Sequence, residues 1–209
     1  MFFVFDGLDG SGKTTQLKRF AARLESQGKS VVVAKDPGTT KLGEELRAIL
    51  LTQSDTPISM RAEMMLFTTA RTQLVEEVIR PALADGKFVV LDRYVLSTVV
   101  YQGHAGELEA EQVRTINDLA TKGLWPQMTF VLDLPVDEAT RRLGDDLDRM
   151  ESRGAAYFEK VRSGFLAQAE KCDSAVVIDA SQSEDDVARA ILDAARSLPE
   201  LKEVFDGVE

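Results

Sequence analysis

Gly7-Leu8-Asp9-Gly10-Ser11-Gly12-Lys13-Thr14 sets three glycines, a lysine and a hydroxyl in the spacing G-x-x-x-x-G-K-[ST]. That spacing answers a specific demand. Triphosphate oxygens need several backbone N–H donors converging from one concave turn, and glycines allow the chain to make it. A helix starting near Lys13 points its positive end at the phosphates. Lys13 then neutralises the β- and γ-phosphates, and the Thr14 hydroxyl offers a ligand to Mg²⁺. The run from Gly7 through Thr15 is therefore the expected ATP contact.

A second pair is Asp92-Arg93, at the end of an apolar run. A carboxylate at the end of a parallel strand faces the crevice where ligands bind. Asp92 there holds magnesium through water or takes the acceptor's proton. Arg93 binds two phosphate oxygens in a fixed fork, as a clamp between donor and acceptor requires. Phe67 and Arg71 stand four residues apart and share one helix face with Leu74 and Val78. An arginine in an apolar stripe either snorkels or, beside an aromatic face, serves a flat base that carries a carbonyl.

The elements that must position these residues follow from hydrophobic patterning. Phe2–Asp6, Val31–Lys35, Phe88–Asp92, Phe130–Leu134 and Ala175–Asp179 are continuous apolar runs, the pattern of strands buried on both faces. Helical patterns lie between them, near 13–27, 42–51, 61–85, 110–123, 135–143, 152–171 and 184–197. This alternation predicts an α/β fold with a parallel sheet. Pro81 is expected to end or kink its helix, Pro135 to sit in a first turn, and Ser183 with Asp186 to form a capping box. The polar stretch Gly144–Gly154 reads as a surface loop, and residues 198–209 as a loosely docked tail.

At 209 residues the chain has room for one α/β domain. Its net charge of −10 argues against a broad nucleic-acid surface, although a local basic pocket can still bind a small phosphate ligand. No apolar stretch nears the roughly 20 residues that span a bilayer. Met1 leads directly into an apolar strand, so no signal peptide is expected. One cysteine, Cys172, excludes an internal disulfide and fits a reducing cytoplasm.

Taken together, the residues resemble the thymidylate kinase family. The resemblance rests on Phe-Asp-Gly-Leu-Asp-Gly-Ser-Gly-Lys-Thr-Thr-Gln-Leu at 5–17, Asp-Pro-Gly-Thr-Thr at 36–40 and Met-Leu-Phe-Thr-Thr-Ala-Arg at 65–71. It continues with Asp-Arg-Tyr-Val-Leu-Ser-Thr at 92–98, Tyr-Gln-Gly at 101–103, Asp-Arg-Met-Glu at 148–151 and Ile-Asp-Ala-Ser-Gln at 178–182. It implies a P-loop NTPase fold with a five-stranded parallel sheet and a short lid at 144–154. It also implies a homodimer that transfers the γ-phosphate of Mg-ATP to dTMP.

Roles follow position by position from that resemblance. Phe67 stacks on thymine, Arg71 meets its carbonyl edge, and Thr98 and Gln102 help hold the base. Tyr101 excludes a 2′-hydroxyl, Asp9 meets the 3′-hydroxyl or orients the acceptor, and Arg93 clamps the acceptor phosphate. Gly10 occupies the place where some members carry a P-loop arginine, so the catalytic arginine is expected from the lid. Arg149 is the expected residue, with Arg141, Arg142 and Arg153 nearby; Arg142 alternatively packs on adenine. Where the family reads Arg-Glu-Pro-Gly-Gly-Thr, this chain has Lys35-Asp36-Pro37-Gly38-Thr39-Thr40. Lys35 then supplies charge to the acceptor phosphate without a bidentate fork. His104, the only histidine, reads as a surface residue. Other nucleoside monophosphate or deoxynucleoside kinases, and a nucleotide-driven switch, are the competing readings.

Overall fold

A computed structural model describes residues 1–144 and 148–205. Five strands, β1 (Phe2–Gly7), β2 (Val31–Lys35), β3 (Phe88–Asp92), β4 (Met128–Asp133) and β5 (Ala175–Asp179), form one all-parallel sheet in the order β2-β3-β1-β4-β5. The register sets Phe5 beside Asp92 on one side and beside Phe130 on the other. β1 is thus the central strand, and its carboxyl end lies at the switch point where crossovers diverge to opposite sides.

Alternate residues of β1 feed two cores. Phe3 and Phe5 join Phe20, Val90, Phe130 and Phe165 on one face, while Phe2 and Val4 join Leu74, Val75, Leu91 and Tyr94 on the other. Only β1, β3 and β4 have the two-sided burial their apolar runs predict. β2 and β5 are edge strands, and Val33 and Val177 stay 49% and 44% exposed. An apolar run identifies a strand without saying whether it is central.

Helices α1 (Lys13–Ser26), α2 (Lys41–Leu51) and α3 (Met60–Leu74) fall where the periodicity puts them. Pro81 does not end its helix. A π turn over Val75–Ile79 absorbs the missing N–H, and the chain continues as α4 (Arg80–Ala84). Residues 95–104 received no element from the sequence. They form α5 (Val95–Thr98), prolonged by a π turn over Val99–His104. Their β-branched residues disguise a helix that tertiary packing imposes.

Beyond α6 (Ala110–Thr121) and β4, Pro135 stands just before α7 (Val136–Leu143) rather than within it. α8 (Ala155–Ala169) leads to β5. Ser183 caps α9 (Glu184–Ala195) by accepting from the Asp186 N–H. The tail is not loosely docked through residue 205: α10 (Pro199–Phe205) buries Leu201 and Phe205, the latter 6.2 Å from the Phe20 ring. Among the described residues no helix is long and apolar enough to cross a membrane.

Candidate active site

The phosphate loop joins β1 to α1 at the sheet's switch point. A Cβ on Gly7 would meet the Leu132 carbonyl oxygen at 2.5 Å, and one on Gly10 the Ala139 carbonyl oxygen at 2.4 Å; both sites have positive φ. Gly10 lies so close to α7 that an arginine there would displace backbone. The charge for the transferring phosphoryl must therefore come from elsewhere. α1 has no side-chain N-cap and no acidic residue in its first turn, which leaves its N–H groups open to an anion. Ser11 Oγ is buried without a partner, a further polar atom in the loop.

Lys13, Thr14, Thr15, Asp92 and Arg93 line one cleft with Gly10–Gly12 and Arg142. Lys13 Nζ donates to the Leu8 carbonyl at 2.7 Å and lies 3.7 Å from Asp9. Burial lowers its pKa, helped by the Arg93 charge and opposed by Asp9 and Asp92, so an arriving polyanion favours the charged form. Thr14 Oγ1 donates to Asp92 Oδ2 at 2.9 Å. This hydroxyl–carboxylate pair suits a hard cation. Among the described residues no group of three or more His, Cys, Asp and Glu could hold a metal. One hydroxyl and one carboxylate would suit Mg²⁺, which keeps waters and takes its remaining oxygens from nucleotide phosphates.

A second, smaller cleft is lined by Phe67, Arg71, Ser97, Thr98, Tyr101, Gln102 and Met150, among others. Asp9, Asp36, Arg47 and Arg93 belong to both clefts and so mark their junction. Arg93 donates to Asp9, to the Gly7 carbonyl and to Ser97, with its guanidinium 5.3 Å from the Tyr101 ring centre. It holds φ +67, an uncommon backbone for a non-glycine residue, at the strand end that aims it into the junction. Burial opposes the Arg93 charge, yet Asp9, Tyr101 and Asp6 raise its pKa well above the ordinary value. Burial likewise works against the Asp9 charge, but Arg93 and Lys13 outweigh it and hold that carboxyl well below the usual range. Asp9 is therefore a fixed anion and not a poised base.

Arg71 does not snorkel. It is 1% exposed, and it donates to Asp36, Asn117, Thr98 and the Tyr94 carbonyl. Of the five guanidinium N–H groups, these bonds leave one for a ligand. Tyr101 is buried, which raises its pKa; it stays a neutral donor, 3.4 Å from Asp9 Oδ2. Gln102 is buried and donates to Glu63 at 2.9 Å.

Two expectations meet a different geometry. Lys35 Nζ pairs with Glu44 at 3.0 Å and lines the larger cleft, not the smaller one. Arg47, which sequence reasoning missed, stands at the junction and donates to the Pro37 carbonyl at 3.1 Å. Arg149 is not brought to the phosphate loop. It donates to the Leu50 carbonyl and to Glu63, both at 2.6 Å, and Arg153 donates to the same Glu63 oxygen at 2.6 Å. Of the four arginines near the lid, Arg142 is the one that lines the larger cleft, paired with Glu138 at 2.5 Å. Positions 145–147 of the lid lie outside the described residues. Arg47 and Glu63 carried one weak signal each: a cation just after the acidic surface pair Glu44-Glu45, and a carboxylate on the Phe67–Arg71 face of α3.

Asp6, wholly buried behind the loop, accepts from Ser97 and lies 3.8 Å from Arg93. Burial pushes its carboxyl up to about 6, against the pull of Arg93 and Ser97. A folded-state value above the unfolded one means the folded protein binds the proton more tightly. Stability therefore falls as pH rises through the window from about 4 to about 6, then levels. Relative to Asp6→Asn, the wild type should lose on the order of 2–3 kcal/mol across that window in urea titrations. A constant difference between the two proteins would contradict it.

Comparison with known proteins gives the family. The thymidylate kinase family model matches residues 5–191. The thymidylate kinase of Thermosipho africanus is 44% identical over 188 residues, 90% of this chain and 93% of its own. That of Rhodopirellula baltica is 44% identical over 189 residues, 90% of this chain and 77% of its own. The crystal structure of thymidylate kinase from Ehrlichia chaffeensis superposes with a TM-score of 0.76 at 28% identity, over 93% of this chain and 98% of that one. The match begins in the strand that feeds the phosphate loop and ends in the helix after β5, so it takes in both clefts. The chain belongs to the thymidylate kinase family, and it is a phosphotransferase of the nucleoside monophosphate kinase class.

Proposed function

We propose that this chain transfers the γ-phosphate of ATP to dTMP, giving dTDP and ADP. The carrying observation is the junction, where Asp9, Asp36, Arg47 and Arg93 are shared by a cleft built for a triphosphate and a cleft built for a flat base. A dTMP phosphate oxygen attacks the γ-phosphorus there while the bond to the ADP oxygen breaks. Little covalent work is left to the protein, so catalysis is positioning and charge. Arg93 holds the acceptor phosphate against the γ-phosphate. Lys13 and the N–H groups of Gly7–Thr15 hold the donor. Mg²⁺, when bound through Thr14 and Asp92, neutralises charge on the donor phosphates. Asp9 keeps Arg93 and Lys13 aimed.

Phe67 offers its ring to the thymine, with Arg71, Thr98 and Gln102 around the base edge. Arg142, on α7 beside the lid, is the cation assigned to the donor phosphates, in place of Arg149. Lys35 contributes only diffuse charge through its pair with Glu44. Transfer is checked with γ-labelled ATP: label should appear in dTDP, and label released only as inorganic phosphate would refute transfer.

Tyr101 is the sugar filter in this reading, because its buried ring abuts Arg93 and its hydroxyl faces Asp9. Tyr101→Ala should raise turnover of UMP relative to dUMP by about tenfold, the scale of one small group in a packed pocket. An unchanged ratio removes Tyr101 from sugar selection. The thymine methyl is worth only ~1–3 kcal/mol, so dUMP should be a poor but real substrate.

The remaining parts of the reading are a single kinase domain, a cytoplasmic location and a homodimer. Supporting the last, Ile49, Met65 and Leu119 stay 53%, 50% and 81% exposed on α2, α3 and α6, where α3 packs against both others.

A further inference from the structure

Glu63 has no place in the phosphate chemistry, yet it is a wholly buried carboxylate that pairs with two arginines. On α3 it stands four residues before Phe67 and eight before Arg71, on the face that looks into the acceptor cleft. One oxygen accepts from Arg149 and from Arg153, each at 2.6 Å. The other accepts from the Gln102 amide at 2.9 Å. A buried anion with two cations and an amide is fully occupied, and either arginine without it would be left with an unmatched charge.

What these partners carry is the wall of the acceptor cleft. Asp148 and Met150 line that cleft on either side of Arg149, and Gln102 lines it from α5's π turn. The Arg149 N–H also donates to the Leu51 carbonyl at 3.0 Å, and Leu51 is a further lining residue. Asp148 Oδ1 accepts from the Met150 and Glu151 N–H groups, so this turn is held as a unit. Arg153 extends the same network: it donates to the Tyr157 hydroxyl, which donates to the Tyr101 carbonyl at 2.6 Å.

We propose that Glu63 is a positioning residue for the nucleoside monophosphate, fixing residues 148–153 and Gln102 as two walls of the acceptor cleft, with Arg149 and Arg153 as its struts. The proposal rests on the monophosphate kinase reading of that cleft. It places the work of Arg149 in acceptor binding, made before the chemical step, and not in the transition state.

The two roles separate in kinetics. An arginine that acts only on the transferring phosphoryl lowers kcat and leaves the acceptor KM in place, whereas a wall that shapes the cleft raises the acceptor KM and Kd. Glu63→Gln, Arg149→Ala and Arg153→Ala should each raise the dTMP Kd, measured by calorimetry without ATP, by at least tenfold. The ATP KM should stay within about twofold. Because the three residues act as one unit, Glu63→Gln/Arg149→Ala should be no worse than the poorer single variant.

Should Glu63→Gln fail to fold, Arg149→Ala/Arg153→Ala gives the same comparison from positions less buried than Glu63, again with no more loss than the poorer single change. Amide exchange of residues 149–153 supplies a readout free of substrate. It should quicken in any foldable variant of the set while α1 is unchanged. A large fall in kcat at unchanged dTMP Kd in Arg149→Ala, or losses that simply multiply, would overturn the proposal. So would unaltered exchange. A wild type that binds no monophosphate at all would instead undo the kinase reading, and the exchange result would still decide whether Glu63 anchors the turn.

Discussion

Arg93→Ala should lower kcat by about 10³-fold or more, the scale seen when a phosphoryl-clamping arginine is removed. Three features make the effect large. The guanidinium is shared by both clefts, and it is held by Asp9, the Gly7 carbonyl and Ser97 rather than by flexible surface contacts. Its pKa is raised, so the charge is permanent. Its removal also leaves Asp6 and Asp9 without their main counter-charge at the junction of the two clefts.

Arg93→Lys restores charge without the fork and should recover only part of the rate. The check is steady-state kinetics with both substrates varied. A loss below tenfold in Arg93→Ala would place the clamp elsewhere, with Arg47 the first residue to try.

The second large effect is on stability. Arg71→Met keeps much of the volume but strands Asp36, which is 2% exposed and pairs with Arg71 through Nε. Breaking a buried pair from one side costs about 3–5 kcal/mol, roughly 10 °C in Tm for a chain of this size. Burial already raises the Asp36 pKa, and Arg71 is the chief force pulling it down. Without Arg71 the folded-state value rises further above the unfolded one. The deficit should therefore be greatest at neutral pH and shrink on acidification. Arg71→Met/Asp36→Asn should recover part of the loss. Calorimetry at two pH values tests this, and a pH-independent deficit that the double variant does not relieve would show the cost to be packing alone.

How much of this was legible depends on whether a residue's meaning is local. The phosphate loop was, because its spacing is itself the geometry: a strand, a turn that needs glycine, and a helix start. Strand positions were legible for the same reason, though not which strands form the edges. Arg93 could be named from its place at a strand end. Arg71 could be named as a cation facing a flat base, but not what holds it, since its partners Asp36, Asn117 and Thr98 come from β2's exit, α6 and α5. The helix at 95–104 was hidden by β-branched residues that packing overrode. Arg149 and Lys35 show the limit most clearly. Both carry charge at the right distance along the chain, yet each is committed to a carboxylate, Glu63 or Glu44, that only the folded arrangement brings near.

The most direct test is ADP release from Mg-ATP with dTMP, dUMP, UMP, dCMP, AMP and GMP offered one at a time. The account predicts the highest kcat/KM for dTMP, a reduced value for dUMP, and little ADP without an acceptor. A different monophosphate in first place would keep the phosphate loop and contradict the base pocket built on Phe67 and Arg71. ADP release indifferent to every acceptor would contradict the central claim.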